Sequence, residues 1–396
     1  MIATPKAILL GFIARLIHPF IKTQGKTWIF ASNNGRTYGE GSRSIMEYVL
    51  QNDNSINCIY ITRNQNVYNE LTKKGVRCEL NWSLRGVLAI ARADTIFFTH
   101  GPADIYYAYK KRNRRFYFLT HGQPYKVAMN ALVEKEAKPI STYDKIKNII
   151  SDFLFELPSH NNTFFVSCCS SFLAKYLKLE YNNECKIVVL GSPRNDVLFT
   201  PEKLHHDFFS TLKGKIVITY MPTHRKYGLG IPSPTLFIND RTKQQWLREH
   251  NVVVLIKQHP NMIPQIKDFD NNDVIIDVTK KGLDPQCTMI NSDIMVTDYS
   301  SVWMDWLLLN KPLLHFFYDD FKDDDAGFYY DLHEDPAGKI CESEDELFEA
   351  IKHCILAPQE MLPPKRLVNK YHRYIDGESS KRHYDKIVQR YNNETE

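Results

Sequence analysis

The chain has 396 residues, of which 43% are hydrophobic and 24% charged, so it is long enough to bury two domain cores. Its 50 basic and 46 acidic residues give a net charge of only +4, which argues against nucleic acid as a partner, because nucleic-acid-binding domains concentrate basic charge on one face. Eight cysteines without a C-x-x-C pair predict reduced thiols in a cytoplasmic protein, with neither disulfides nor a zinc site.

The first 25 residues predict a helical segment at the N-terminus. Its apolar run, 7–14, is closed by Lys6 and Arg15 and is too short to span a bilayer. No small-residue cleavage site follows it, which argues against a signal peptide. Two interpretations stay open: a helix that lies in the membrane interface, or one that caps the first domain. The basic run 110–115 is either solvated or a contact for anionic lipid head groups.

Apolar strand patterns alternate with helical stretches in two series, which predicts two parallel sheets. The first series comprises 27–31, 57–61, 95–98, 116–119, 164–166 and 187–190. The second comprises 215–219, 252–256, 273–276, 294–296 and 312–316. We therefore predict an α/β, GT-B-like architecture of two Rossmann-like domains whose parallel sheets face a cleft.

The predicted domain limits follow from these series. An N-terminal acceptor domain covers 26–199, a charged linker 200–213, and a C-terminal donor domain 214–363; a basic helix over 364–396 packs across both domains. Ligands in such sheets bind beyond the carboxyl ends of the strands, so the residues after each strand are the candidates for function.

In the first domain, His121 and Gly122 follow the strand 116–119, and Lys126 comes shortly after. A histidine there is suited to take a proton from an attacking hydroxyl, because its pKa lies near working pH. Lys126 and Gly122 are candidate acceptor-binding residues. A hydrogen-bonded structural histidine is the competing interpretation. The glycine-rich stretch 35–42 matches no phosphate-loop spacing and predicts a tight turn.

The Gly-Ser-Pro-Arg-Asn-Asp segment, 191–196, marks the end of the first series. Glycine and proline predict a turn there. Arg194 either braces this turn or reaches the cleft, and structural roles are favoured for Asn195 and Asp196.

Three motifs follow strands of the second domain and offer partners for a diphosphate. Arg225 provides a planar donor fork, and His259 can hydrogen-bond a bridging phosphate. Ser300 and Ser301 precede an apolar helix predicted over 302–309. Paired serines are ordinary helix caps, yet such a helix start also binds anions.

Acidic residues cluster at 319–325, but their spacing is not that of an EF-hand. The sequence therefore predicts a solvated loop, no metal site and no cofactor. A loosely bound Mg²⁺ stays an open alternative.

Taken in order, the motifs H-G-x-P-x-K, G-S-P-R-N-D, P-T-x-R, K-x-H-P and T-D-Y-S-S resemble the CDP-glycerol glycerophosphotransferase family of teichoic-acid synthesis. The resemblance runs from about 119 to 330. It implies a GT-B-like fold with CDP-glycerol in the C-terminal domain and the acceptor toward the N-terminal one.

The resemblance also implies residue roles. His121 corresponds to the catalytic base. His259 is assigned both a catalytic and a donor-binding role, in contact with the diphosphate at the breaking bond. The remaining donor-binding candidates are Arg225, Asp298, Ser300 and Ser301. Asp305 matches a family aspartate whose role stays open. The chain departs from the family at Ala326, where an arginine often stands, which puts the donor polyol in doubt.

The implied reaction transfers glycerol phosphate to a hydroxyl of a lipid-linked saccharide or polyol-phosphate polymer at the inner face of the membrane, with release of CMP. A single module of this length resembles a primase or a capsule-type transferase more than a long-chain polymerase. Three alternatives remain: a CDP-ribitol transferase, a GT-B nucleotide-sugar glycosyltransferase, and a non-catalytic scaffold at an anionic membrane.

Overall fold

A computed structural model describes residues 5–109, 111, 113–127, 164–181, 185–200, 202, 206–223, 236–258, 272–319 and 327–393. The chain forms two compact units. The first contains Met1–Gln123, Val127–Asp196 and Asp376–Glu396. The second contains Pro124–Lys126 and Val197–Ile375. The chain thus enters the second unit for three residues, Pro124–Lys126, one residue after the His121-Gly122 pair.

The first unit is built on a seven-stranded sheet with the order β3-β2-β1-β4-β5-β6-β7. Its strands are β1 Gln24–Phe30, β2 Asn57–Thr62, β3 Cys78–Leu80, β4 Ala93–Phe98, β5 Arg115–Phe118, β6 Phe164–Cys168 and β7 Lys186–Val189. All neighbouring strands run parallel. The core is aromatic: the rings of Phe30 and Phe97 stack with centroids 4.6 Å apart. Since β1, β4 and β5 are neighbours, the residues that follow them share one edge of the sheet.

The second unit contains a six-stranded sheet with the order β10-β9-β8-β11-β12-β13. Its strands are β8 Ile216–Met221, β9 Val252–Ile256, β10 Ile275–Asp277, β11 Ile294–Thr297, β12 Leu313–Phe316 and β13 Lys339–Cys341. These strands also run parallel throughout. The buried strands β8, β9 and β11 form the centre of the sheet.

The α-helices of the described ranges, numbered in chain order, flank these sheets. They are α1 Pro5–Ile17, α2 Glu40–Asn52, α3 Gln65–Lys73, α4 Leu84–Arg92, α5 Ser171–Glu180, α6 Asp207–Ser210, α7 Arg241–Glu249, α8 Pro285–Ile290, α9 Val302–Trp306, α10 Glu344–Leu356, α11 Lys365–Tyr371 and α12 Ser379–Asn393. Asn64, Ser83 and Ser170 cap α3, α4 and α5 through their side-chain oxygens.

The predicted fold class is confirmed, since every strand that the sequence predicts is present with small shifts at its ends. The sequence did not predict β3 and β13. Both have three residues and lie at the edge of a sheet, and so short a segment carries too little hydrophobic pattern to be distinguished from a loop.

The helices differ from prediction in two places. Instead of one C-terminal helix over 364–396, the structure has α11, which belongs to the second unit, and α12, which belongs to the first. Ile387 of α12 lies in the core beside Trp28, whose Nε1 donates to the hydroxyl of Tyr391 at 2.8 Å. The helix predicted over 302–309 is α9, which ends at Trp306 and continues as a 3₁₀ turn, Leu307–Leu309.

No helix within the described ranges combines the length and the hydrophobicity that crossing a bilayer requires.

Candidate active site

His121 lies just beyond the carboxyl end of β5, after a residue in an unusual conformation. Thr120 has a φ of +55°, in the left-handed region that β-branched residues rarely adopt. Such strain persists only where the surrounding structure holds it, and it is concentrated at functional sites. The turn at Thr120 thus marks His121 as a residue with a constrained position.

The imidazole of His121 has a defined hydrogen bond and ring contact. Its Nδ1 lies 3.2 Å from the backbone oxygen of Thr99. Because a carbonyl oxygen can only accept, Nδ1 donates this bond, and neutral His121 therefore carries its lone pair on Nε2. The ring also stacks on that of His100, with centroids 4.2 Å apart and an interplanar angle of 11°.

The electrostatic surroundings of His121 favour its neutral form. The residue keeps an exposed edge, but the protein packed around its ring lowers its pKa by desolvation. The Arg194 guanidinium lowers this pKa further, whereas the bond to the Thr99 carbonyl raises it. A neutral imidazole with a lone pair on Nε2 can accept a proton at neutral pH.

Arg194, which follows β7, braces the turn that carries His121 and also contacts the start of α2. Its Nη1 donates to the backbone oxygen of His121 and forms an ion pair with Glu40 at 3.1 Å. Asp196, from the same segment, accepts hydrogen bonds from the backbone amides of Ser379 and Ser380 at 2.9 and 2.6 Å. The segment 191–196 therefore holds the His121 turn and the start of α12 in place.

Sequence reasoning missed His100 and Asp104. Thr99 and His100 follow β4, and the buried Asp104 carboxylate accepts from their backbone amides at 2.8 and 3.1 Å. Asp104 also accepts from the backbone amide of Asn34, after β1, at 2.5 Å. A signal was present, because Thr-His-Gly occurs twice, at 99–101 and at 120–122, each time directly after an apolar strand.

The second half of the H-G-x-P-x-K motif packs in the second unit. Tyr125 stacks on Phe328 with centroids 4.7 Å apart, and its backbone oxygen accepts from Tyr329 at 2.9 Å. The half-buried Lys126 forms an isolated antiparallel bridge with Phe328. Gly122 and Lys126, both predicted to bind the acceptor, thus belong to different units. Ala326 lies outside the described residues.

Two of the predicted donor-binding residues, Arg225 and His259, lie outside the described residues. The structure places the residues shortly before each of them at the carboxyl ends of β8 and β9. The backbone amide of Gln258 donates to the hydroxyl of Thr279 at 2.9 Å, which fixes the end of β9 immediately before His259.

Asp298 lies in the interior. Its side chain is fully buried, and its Oδ1 accepts a hydrogen bond from the backbone amide of Thr223 at 2.6 Å. This bond gives Asp298 a structural role, while its predicted contact with the donor stays a prediction. Its position shows that it ties the end of β11 to the segment that leads from β8 toward Arg225.

Ser300 and Ser301 lie where β11 leads into α9. The hydroxyl oxygen of Ser300 accepts from the amide of Val302 at a long distance, 3.5 Å. Ser301 is the N-cap residue, but its side chain makes no capping hydrogen bond, so the simple capping interpretation does not explain it. Because α9 has only five residues, its dipole contributes less than the longer predicted helix would.

Two further titratable residues lie near strand ends of the second unit and were not among the candidates from the sequence. Lys257, half-buried at the end of β9, has its pKa lowered by burial, against the opposing influence of Asp284 and Asp277. His315, fully buried at the end of β12, has its pKa lowered to about 4 by burial, so its ring is neutral.

Among the residues that the structure describes, no cluster of histidine, cysteine, aspartate or glutamate has the arrangement of a metal site. Of the acidic run 319–325, only Asp319 is described, and its backbone oxygen accepts from the hydroxyl of Tyr299 at 3.0 Å.

A surface cavity of about 440 Å³ lies between α2 and α3. None of the predicted site residues lines it. Its walls carry two salt bridges, in each of which opposite charges neutralise each other: Arg43 with Glu47 at 2.8 Å and Lys74 with Glu70 at 2.6 Å. We therefore assign the candidate site to the strand ends rather than to this cavity.

Comparison with known proteins agrees with the motif pattern. The family described as CDP-glycerol:poly(glycerophosphate) glycerophosphotransferase matches residues 12–389. A teichoic acid poly(glycerol phosphate) polymerase of Bacillus subtilis is 26% identical over 356 residues, which are 85% of this chain and 45% of the relative. The ribitol-phosphate polymerase TarK of Staphylococcus aureus is 28% identical over 50% of this chain and 40% of its own length. The chain thus spans less than half the length of these two relatives.

A relative of similar length and two solved structures complete the comparison. A teichoic acid glycerol-phosphate transferase of Staphylococcus aureus is 23% identical over 89% of this chain and 90% of its own. A structure of the wall teichoic acid polymerase TagF superposes with a TM-score of 0.75 at 21% identity, covering 99% of this chain and 96% of that one. A UDP-N-acetylglucosamine 2-epimerase from Listeria monocytogenes gives a TM-score of 0.53 at 14% identity, covering 93% and 97%. These structures show a GT-B-like fold.

Proposed function

Because the chain belongs to the CDP-glycerol:poly(glycerophosphate) glycerophosphotransferase family, we propose that it transfers glycerol phosphate from CDP-glycerol to a hydroxyl of a lipid-linked or polymeric cell-envelope acceptor and releases CMP. The observation that carries this proposal is the geometry of His121, whose neutral ring has its lone pair on Nε2 at the carboxyl end of β5.

In the proposed reaction the acceptor hydroxyl attacks the β-phosphorus of CDP-glycerol in line with the leaving group. A new bond forms between the acceptor oxygen and the β-phosphorus, while the bond from this phosphorus to the bridging oxygen breaks and CMP leaves with the electron pair. The hydroxyl proton passes to Nε2 of His121 and then to solvent. As in other phosphoryl transfers, the protein contributes positioning and electrostatic stabilisation.

The donor groups come from the second unit. Ser300 and Ser301 supply hydroxyl and backbone donors for the diphosphate, and Arg225 and His259 supply the cationic and imidazole partners. Asp298 holds the segment before Arg225 through its Oδ1, and it stays a candidate for contact with the donor. Support for CDP-glycerol as the donor comes from TagF, crystals of which were soaked with CDPG.

Acceptor contacts are assigned to Gly122 and Lys126. Gly122 lets a substrate approach the backbone beside His121, and Lys126 carries a positive charge that suits a phosphate of the acceptor. The family description names poly(glycerophosphate) as the acceptor, which supports a polyol-phosphate chain.

CDP-ribitol is the second candidate donor. Ribitol-phosphate polymerases are among the relatives, at 28% and 27% identity. Sequence similarity therefore does not distinguish CDP-ribitol from CDP-glycerol as the donor.

The outer face of α1 supports a peripheral position on the inner face of the cell membrane. Leu9, Phe12 and Leu16 lie on one side of the helix at spacings of three and four residues, and Phe20 follows. Leu16 and Phe20 are 71% and 86% exposed. The opposite face packs its small side chains and Leu10 against Tyr107 and Tyr109, so the apolar stripe is not needed for folding. We assign it to the surface of an anionic bilayer, with Lys6 and Lys22 at its ends.

The basic run 110–115 contributes less to this surface than the sequence suggests. Arg114 is fully buried, and its guanidinium donates to the backbone oxygens of Ala93, Ile90 and Ala91 at 2.9, 2.6 and 2.9 Å. Lys111 donates to the backbone oxygen of Ala91 at 2.9 Å. These two residues stabilise the end of α4 instead of meeting lipid.

A donor screen tests the proposed function. The purified protein is incubated with CDP-glycerol, CDP-ribitol or UDP-N-acetylglucosamine and a short poly(glycerol phosphate) oligomer, and the released nucleotide is identified. We expect CMP from CDP-glycerol together with a lengthened oligomer. UDP release would favour a glycosyltransferase, and the absence of any product would favour a scaffold.

A further inference from the structure

The Thr-His-Gly sequence occurs at the ends of two adjacent parallel strands. Thr99-His100-Gly101 follows β4 and Thr120-His121-Gly122 follows β5, and the two strands pair in parallel from Thr95 with Arg115 to Phe98 with Phe118. The register pairs Phe98 with Phe118, so the two tripeptides are offset by only one residue, and the two histidines emerge side by side. Their rings stack almost in parallel, 4.2 Å apart.

His100 is held more rigidly than an exposed surface histidine. The backbone amide of His100 donates to the Asp104 carboxylate at 3.1 Å. The Nδ1 of His100 lies 2.9 Å from the Thr99 hydroxyl. This hydroxyl in turn donates to the Asp104 carboxylate at 3.3 Å. Asp104 is itself buried. A carboxylate that accepts several backbone bonds fixes this short loop, and with it the ring plane of His100.

The same loop supplies both contacts that orient His121. The Thr99 backbone oxygen accepts from Nδ1 of His121, and the His100 ring covers one face of the imidazole. With its edge hydrogen-bonded and its face covered, the imidazole of His121 has little freedom to rotate. Its Nε2 therefore keeps one direction before any substrate binds.

We propose that His100 is a positioning residue for the His121 base, which it orients and shields from water by ring stacking. This inference rests on the proposed function for its kinetic consequences, but its structural content can be tested without substrate. A displacement of about 1 Å in a catalytic group can reduce a rate by about 100-fold, so loss of the stacked ring should affect turnover.

The kinetic experiment compares His100→Ala with His100→Phe in the full-length protein, using CDP-glycerol and a poly(glycerol phosphate) oligomer. We expect His100→Ala to lower kcat by about 10- to 100-fold with little change in the KM for CDP-glycerol. His100→Phe keeps a stacked ring and should restore most of the kcat. His250→Ala is the matched control, because His250 also stacks on a neighbouring ring, Trp246, 3.9 Å away, but on the exposed end of α7.

The pH experiment follows the titration of His121 by histidine NMR. Desolvation and the Arg194 guanidinium lower the pKa of His121. The other charged groups nearby are Glu40, which pairs with Arg194, and Asp104, which accepts hydrogen bonds from the backbone amides of Thr99 and His100. Removing the His100 ring admits water to one face, so the pKa of His121 should rise in His100→Ala. In His100→Phe the face stays covered, and the pKa should stay near that of the wild type.

The outcomes separate the inference from the proposed function. If His100→Ala matches the wild type in kcat and in the pKa of His121, the positioning role is overturned. If Ala and Phe variants lose activity equally while their melting temperatures fall together, His100 is merely structural and the inference also fails. If the wild type transfers nothing from CDP-glycerol, the proposed function fails, and the NMR titration alone decides the role of His100.

Discussion

The guanidinium of Arg194 donates to the backbone oxygen of His121, so a residue 73 positions further along the chain holds the turn that carries the candidate base. The same guanidinium pairs with Glu40. This contact links the Gly-Ser-Pro-Arg-Asn-Asp and His-Gly-x-Pro-x-Lys motifs within the first unit, and it brings a positive charge close to the imidazole.

Replacement of His121 by alanine should lower turnover by about 10²–10⁴-fold, the usual contribution of general-base help. Affinity for CDP-glycerol should change little, because His121 acts on the acceptor hydroxyl. Steady-state kinetics and calorimetry measure the two quantities, with the exposed His353→Ala as the control. Near wild-type turnover in His121→Ala would show that the base has been assigned wrongly.

Replacement of Arg194 by methionine should raise the pKa of His121. A nearby positive charge disfavours the imidazolium, and Arg194 lowers this pKa in the wild type. The base must be neutral to act, so the acidic limb of the kcat profile should move to higher pH. Activity measured between pH 5 and 9 tests this. An unchanged limb would mean that Arg194 acts only as a brace.

Replacement of Asp298 by alanine should destabilise the second unit and weaken donor binding together. The variant leaves the backbone amide of Thr223 without its buried acceptor, which costs about 1–3 kcal/mol, and it loosens the segment before Arg225. Urea unfolding and calorimetry with CDP-glycerol report the two effects. Asp345→Ala on the surface of α10 is the control. Full donor affinity in Asp298→Ala would separate this contact from the donor site.

His259→Ala and Ser301→Ala should affect donor interaction in different ways. A group that tightens its contact as charge moves toward CMP lowers kcat when removed, whereas one that binds ground and transition states equally raises only KM. We expect the first for His259 and the second for Ser301, with about 1–3 kcal/mol of donor affinity lost. If both variants are folded by circular dichroism and unchanged in affinity and turnover, the nucleotide binds elsewhere.

The double variant Leu16→Ser and Phe20→Ser should lose its attachment to vesicles. Both side chains are largely exposed on the outer face of the N-terminal segment, and insertion of apolar side chains drives interfacial binding. Sedimentation with vesicles containing anionic lipid, at low and high salt, measures the effect. Leu356→Ser, which removes an equally exposed leucine from α10, should bind like the wild type. Equal recovery of all forms in the supernatant would exclude a membrane surface as the partner of this stripe.

The sequence alone was sufficient for the fold class, and it supplied the candidate residues of the site. Apolar runs of four to six residues separated by helical stretches predict parallel sheets, and in such sheets the residues after each strand are candidates for binding. His121, Ser300 and Ser301 were found in this way, since their positions depend only on local pattern.

The tertiary structure decided which polar residues are buried and hydrogen-bonded within the scaffold. Asp298 and Arg114 carry charges that the sequence would place at a ligand or a membrane, yet both are buried and hydrogen-bond to the backbone. His100 meets His121 only because β4 and β5 pair in one register. Burial and long-range hydrogen bonds arise from strand order and packing, and these depend on contacts between residues far apart in the chain, which no local pattern records.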